Sequence, residues 1–264
     1  MTSDMFKERY IFPFTGFGFK RLFGSEINRE FLISFLNSII CDPDNIVDIN
    51  YENVQKFSMN TIDRSAVFDL YCTTESGTPI IVEMQNAYHR YFLNRTIYYP
   101  SFPMNEVAIN GDWYSHVPKI YTIAILNFNM DQYHDTPEYK HVMKLTDIGT
   151  GKVFYDNLTY IYIEIPKFNK EIDQLEDDFD YWMYIIKNMN EFDEYPKRLK
   201  ENRFKTFFHN AEIYTFSRDE QIAYWSSLRA FRDLNNTIIS AEWLGEQKGL
   251  AKGMKEVREN HAVK

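Results

Sequence analysis

The sequence predicts an α/β fold, a sheet-forming core followed by a helical C-terminal region. Three observations predict it. Two β-branched and aromatic runs, 65–73 and 78–85, flank Thr74-Glu75-Ser76-Gly77, the pattern of a hairpin closed by a glycine. Lys119 to Phe128 is a near-continuous apolar run, the signature of a central strand covered on both faces. After Pro166 the strand patterns stop and helical periodicity takes over. The chain therefore divides into an α/β domain at 10–166 and a helical region at 167–264.

Taken in order, Ile11 to Lys20 is aromatic and glycine-punctuated and reads as an ordered loop packed on a core. From Glu26 to Ile40, Ile27, Phe31, Leu32, Phe35, Leu36, Ile39 and Ile40 recur at helical spacing, with Ser25 as N-cap and Cys41-Asp42-Pro43 as the stop. Ile46 to Tyr51 suits a short strand, and the hairpin follows. Arg90 to Ile109 is helical in pattern, interrupted by Pro100 and Pro103. Leu158 to Ile165 alternates like a strand. The acidic run from Glu171 to Asp180 suits a solvated helix start favoured by the helix dipole. Helices then cover roughly Pro196 to Ala211 and Arg218 to Leu250. In the tail, Gly245, Gly249 and Gly253 align on one helical face, but each costs about 0.5–1 kcal/mol of helix stability, so a frayed end is expected.

Composition narrows the function classes. With 44% hydrophobic and 17% aromatic residues the chain is not disordered. No apolar run approaches the ~18 residues that span a bilayer, so no membrane partner is expected. Cys41 and Cys72 form no metal-ligand pattern and suit reduced thiols in the cytoplasm. A net charge of −9 argues against a non-specific nucleic-acid coat, while leaving room for a local basic patch. The six histidines show no ligand spacing, and no glycine-rich phosphate loop or nucleophile elbow is present.

The chemistry-bearing residues are Asp69 and the Glu83-Met84-Gln85 triplet, carboxylates set into otherwise apolar strands of one hairpin. A buried charge needs compensation, and two hard oxygen donors suit Mg²⁺ or Mn²⁺. Glu83 and Gln85 share a strand face and Met84 points to the other. Asp69 joins them only in an even register. A two-residue loop at Ser76-Gly77 would set Asp69 opposite Met84. A three-residue loop through Glu75-Ser76-Gly77 would set it opposite Glu83 or, slipped by one on each strand, Gln85, and the turn chemistry favours this odd loop. The bland alternative is a half-exposed strand whose acids face water.

An Asp, a spacer, then Glu-x-Gln on a hairpin resembles the PD-(D/E)XK nuclease superfamily. More closely, the chain resembles its Rpn branch of recombination-promoting nucleases, also called PD-(D/E)XK family transposases. The stretches that carry the likeness are Phe17 to Gly24, Phe35 to Ile39, Val67 to Tyr71, Ile81 to Asn86, Asn94 to Tyr99, Val117 to Ile123 and the glycine-stepped tail. The resemblance implies a restriction-endonuclease-like core, a central mixed sheet flanked by helices, and a divalent-metal-dependent DNA endonuclease tied to recombination or transposition. It implies that Asp69, Glu83 and the Met84 carbonyl hold the metal. Gln85 stands where a lysine is usual. Lacking a useful pKa, it is no general base, but it can orient water or a phosphate oxygen. Glu26 is the candidate accessory acid, and Lys20, Arg90 and Arg95 are candidate DNA contacts, DNA being the implied partner.

Two positions depart from the family pattern. Gly16 stands where an Asp usually precedes Phe-Gly-Phe-Lys, and Val107 lies where the family tends to have Gln. Both leave the acid pair intact. They lend weight to a rival reading, a catalytically weakened nuclease fold kept for DNA or protein binding. A third reading is an assembly protein, a homo-oligomer joined through its C-terminal helices.

Overall fold

The computed structural model describes residues 8–41, 45–52, 68–109, 117–197, 199 and 202–262. Asp42, Pro43, the first three residues of the expected strand 65–73, and His116 lie outside them. Six strands form one mixed sheet in the order β1-β2-β3-β4-β6-β5. The strands are β1 (Ile49–Tyr51), β2 (Leu70–Thr74), β3 (Pro79–Gln85), β4 (Ile120–Leu126), β5 (Lys140–Thr146) and β6 (Val153–Glu164). β3, β4 and β6 run parallel at the centre, and β1, β2 and β5 add antiparallel edges. β4 is buried at every position, as its unbroken apolar run requires.

Helices cover the sheet: α1 (Gly16–Phe23), α2 (Arg29–Ile40), α3 (Phe92–Tyr98), α4 (Ser101–Ile109), α5 (Asp178–Asn188), α6 (Asn202–Asn210) and α7 (Arg218–Ala262). α2 begins after a short 3-10 turn at Glu26–Asn28, and it ends where Cys41 turns left-handed at φ 51°. The aromatic core knits the two halves of the chain together. Phe23 stacks on Phe35 at 4.8 Å, and Trp182 meets both at 5.7 and 5.8 Å and Phe207 at 4.9 Å. The Trp182 indole N–H donates to Ser34 Oγ at 3.1 Å.

Four elements differ from the sequence reading. Residues 16–23 are helix rather than loop. Thr15 caps that helix by accepting from the Gly18 N–H, and burial of Phe19, Leu22 and Phe23 outweighs the low helix propensity of two glycines. Gly18 has a steric reason, because a Cβ there would lie 2.2 Å from the Phe12 carbonyl oxygen. β5 was not anticipated, since its residues are only partly buried on an outer strand and carry a weak apolar pattern. Ser25 stands before the 3-10 turn but makes no side-chain cap. The glycine-stepped tail is helical to Ala262, because strong helix formers separate its glycines.

The acidic run starts a helix as its charge suggests, but Asp180 is buried and pairs with Lys170 at 2.6 Å rather than facing water. Asp177 caps α5 by accepting from the Asp180 N–H at 2.9 Å, with Asp178 and Asp180 in the first turn.

Candidate active site

The hairpin sets the geometry. The Gly77 N–H donates to the Thr74 carbonyl at 2.9 Å and the Thr74 N–H to the Thr78 carbonyl at 3.0 Å, leaving a three-residue loop. Gly77 sits at φ +80°, a conformation glycine adopts without penalty. The pairs Thr73↔Pro79 and Leu70↔Val82 follow, and one step further the register faces Asp69 with Glu83. Of the registers the sequence leaves open, the odd loop with Asp69 opposite Glu83 is the one formed.

One hydrogen bond ties the acids across the ribbon: Asp69 Oδ2 accepts from the Met84 N–H at 2.8 Å, while the Asp69 backbone N–H favours the charged form of Glu83. Glu83 is only 5% exposed. Its Oε1 accepts from Arg95 Nη2 at 2.7 Å, while its Oε2 is buried with no hydrogen-bond partner. The same Arg95 nitrogen reaches Gln85 Oε1 at 3.0 Å, and Gln85 Nε2 donates to the Ala87 carbonyl at 2.9 Å. One guanidinium thus bridges the acid and the amide that share a face of β3.

Electrostatics follow from this packing. Burial raises the Glu83 carboxyl well above the usual carboxylate range, and the charge of Asp69 raises it further. Burial also raises Asp69, against the Met84 N–H and the charges of Lys20 and Arg95. Lys20 is an exposed residue of α1 whose charge favours ionisation of both acids. The buried Tyr99 hydroxyl, one turn beyond Arg95, is held protonated by burial and by the charge of Glu83.

The two carboxylates, with the Glu83 Oε2 buried and without a hydrogen-bond partner, are oxygen donors that could hold a divalent cation. The donors are hard oxygens, which fits Mg²⁺ or Mn²⁺. Among the described residues no three acidic, histidine or cysteine side chains gather to hold a metal. Asp69 and Glu83 supply two carboxylates, a set that suits an ion keeping several of its waters, as Mg²⁺ does.

The other expected residues are placed as follows. Glu26 is 66% exposed on its side chain and pairs with Arg29 at 2.5 Å, apart from the acid pair. Arg90 is exposed after β3, its guanidinium 5.7 Å from the centre of the Tyr91 ring. Gly16 is exposed at the first position of α1, where a Cβ would meet only Ser227 Oγ, at 3.9 Å. The helix cap is supplied instead by Thr15, which accepts from the Gly18 N–H. Val107 is half-buried in α4. The sequence reading did not anticipate Arg95 reaching back to Glu83 and Gln85. Its spacing gives no such signal, because the contact depends on how α3 docks on the sheet.

A mixed α/β sheet whose hairpin faces an Asp with a Glu-x-Gln defines the PD-(D/E)XK-like class of fold. The chain belongs to the PD-(D/E)XK nuclease family transposases, whose family model matches residues 13–241. No curated protein and no solved structure is significantly similar to it. Among the described residues no helix is long and apolar enough to cross a membrane.

Proposed function

We propose that this chain is a divalent-metal-dependent DNA endonuclease that hydrolyses phosphodiesters in recombination or transposition. The observation that carries the proposal is the acid pair, Asp69 opposite Glu83 with the Glu83 Oε2 buried and unpartnered. Asp69, Glu83 and the Met84 carbonyl hold the ion. When bound, Mg²⁺ or Mn²⁺ supplies a more acidic water and positive charge against the charge that develops on phosphorus.

The remaining steps belong to the chain. Gln85 replaces the usual lysine and fixes Arg95, which brings in the cation that the amide lacks. Arg95 is partly exposed, so its guanidinium can pair with phosphate oxygens while Gln85 keeps it aimed. Lys20 and Arg90 add exposed charge along the backbone path. Free thiols at Cys41 and Cys72 suit the cytoplasm. Self-association through α7 belongs to the same reading. Ile239, Trp243, Leu250 and Met254 fall on one side of that helix and are 62%, 58%, 59% and 63% exposed.

The test is nicking of supercoiled plasmid in Mg²⁺. Wild type should cut, and Asp69→Ala and Glu83→Ala should each lose about 10³-fold, since metal charge stabilisation amounts to several kcal/mol. Cutting by either variant at the wild-type rate would refute the assignment.

A further inference from the structure

We infer that the face of α3 beside the acid pair is a stacking platform for unpaired nucleotides, and that the preferred substrate is single-stranded or locally opened DNA. The inference rests on the nuclease reading and specifies its substrate.

Tyr91, Arg95 and Tyr98 recur at i, i+4 and i+7, so the two tyrosines share the helix face from which Arg95 reaches Glu83. Tyr88, in the turn after β3, lies just ahead of them. The three rings are 57%, 56% and 59% exposed for Tyr88, Tyr91 and Tyr98. Scattered exposed aromatics need no explanation, but here three fall within eleven residues, two of them flanking on the same helix the arginine that meets Glu83.

The rings are also braced. Tyr88 meets Phe128 edge-on at 5.7 Å, Tyr98 meets Phe102 edge-on at 5.2 Å, and the Arg90 guanidinium lies 5.7 Å from the centre of Tyr91. Rings already held in place lose little freedom when a ligand lands on them.

Charge selects the ligand. The chain as a whole carries −9, yet the stretch from Met84 to Asn105 contains two arginines and no acidic residue. An arginine-bearing aromatic segment without acids of its own suits a polyanion with exposed π-surfaces. An unpaired strand offers base faces that a duplex keeps stacked internally, and base–aromatic stacking is tolerant of sequence. The platform is continuous with the site through Arg95, so a strand lying on it would run toward Asp69 and Glu83.

The experiment uses the full chain in EDTA, so that binding is read without cutting. Fluorescence anisotropy compares a labelled oligothymidylate with a hairpin duplex of equal length. The single strand should bind about tenfold tighter. The double variant Tyr91→Ala/Tyr98→Ala should lose about 10–100-fold on the single strand and far less on the duplex. The double Phe variant should keep wild-type affinity, because stacking does not use the hydroxyl. Circular dichroism confirms that the variants are folded.

Equal affinity of wild type for both DNA forms overturns the inference, as does an equal loss on both. If the alanine variant binds both forms and nicks plasmid like wild type, the rings serve a protein partner instead, while the nuclease reading stands. If wild type neither binds nor cuts any DNA, the nuclease reading fails and the platform with it.

Discussion

Glu83 and Glu164 lie near the C-terminal ends of parallel strands on either side of β4, facing Ala124 and Leu126, and both are buried. Their surroundings differ. Glu164 is fully partnered: Oε1 accepts from the Met130 N–H at 2.5 Å, and Oε2 lies 2.8 Å from both His141 Nε2 and Lys167 Nζ. The His141 ring is itself stacked on Tyr133 at 3.9 Å. Glu83 has Arg95 on one oxygen, nothing on the other, and a second acid against it. A buried charge that is satisfied on every side holds a loop to a sheet. One left short of donors is a candidate for binding a ligand.

Unequal responses to the same substitution would sharpen this contrast. Glu164→Gln should destabilise the fold by about 3–5 kcal/mol, because it strands the buried Lys167 ammonium. Glu83→Gln keeps an acceptor for Arg95 in place of a carboxyl whose neutral form burial already favours, so stability should change by less than about 1 kcal/mol. Denaturant unfolding of the two variants decides it, and a large loss in Glu83→Gln would erase the distinction.

Arg95 is the next place to press. Arg95→Ala removes a charge-assisted hydrogen bond from Glu83 and the proposed phosphate contact, so cleavage should fall about 10–100-fold, with Arg95→Lys recovering part of it. Rates on plasmid report this directly.

A smaller effect concerns pH. The Glu83 carboxyl is raised in the folded state, so its neutral form is favoured there, and stability drains away as pH rises through the folded value. A cation needs the ionised form, so the rise in Tm produced by Mg²⁺ should grow from pH ~6 to pH ~9. A shift independent of pH would mean that the ion binds elsewhere.

Much of this was legible in the sequence. Gly77 after Glu75-Ser76 specified an odd loop, and of the two pairings that loop left open, Glu83 or Gln85, the register sets Asp69 opposite Glu83. The apolar run of β4 announced a central strand. What could not be read depends on docking between distant segments. Arg95 read as a phosphate contact anchored beside Tyr98 and Tyr99 a turn further along, and only the placement of α3 turns it onto Glu83 and Gln85. Glu26 matched the position of an accessory acid in pattern, yet its side chain faces Arg29. Glu164 gave no sign in the sequence, since its partners come from the loop after β4, from β5 and from three residues beyond it.

The most direct measurement is anomalous diffraction from crystals soaked in Mn²⁺. The account predicts a peak within about 2.0–2.3 Å of one oxygen each from Asp69 and Glu83. Manganese bound elsewhere on the molecule, with none between these carboxylates, would contradict it.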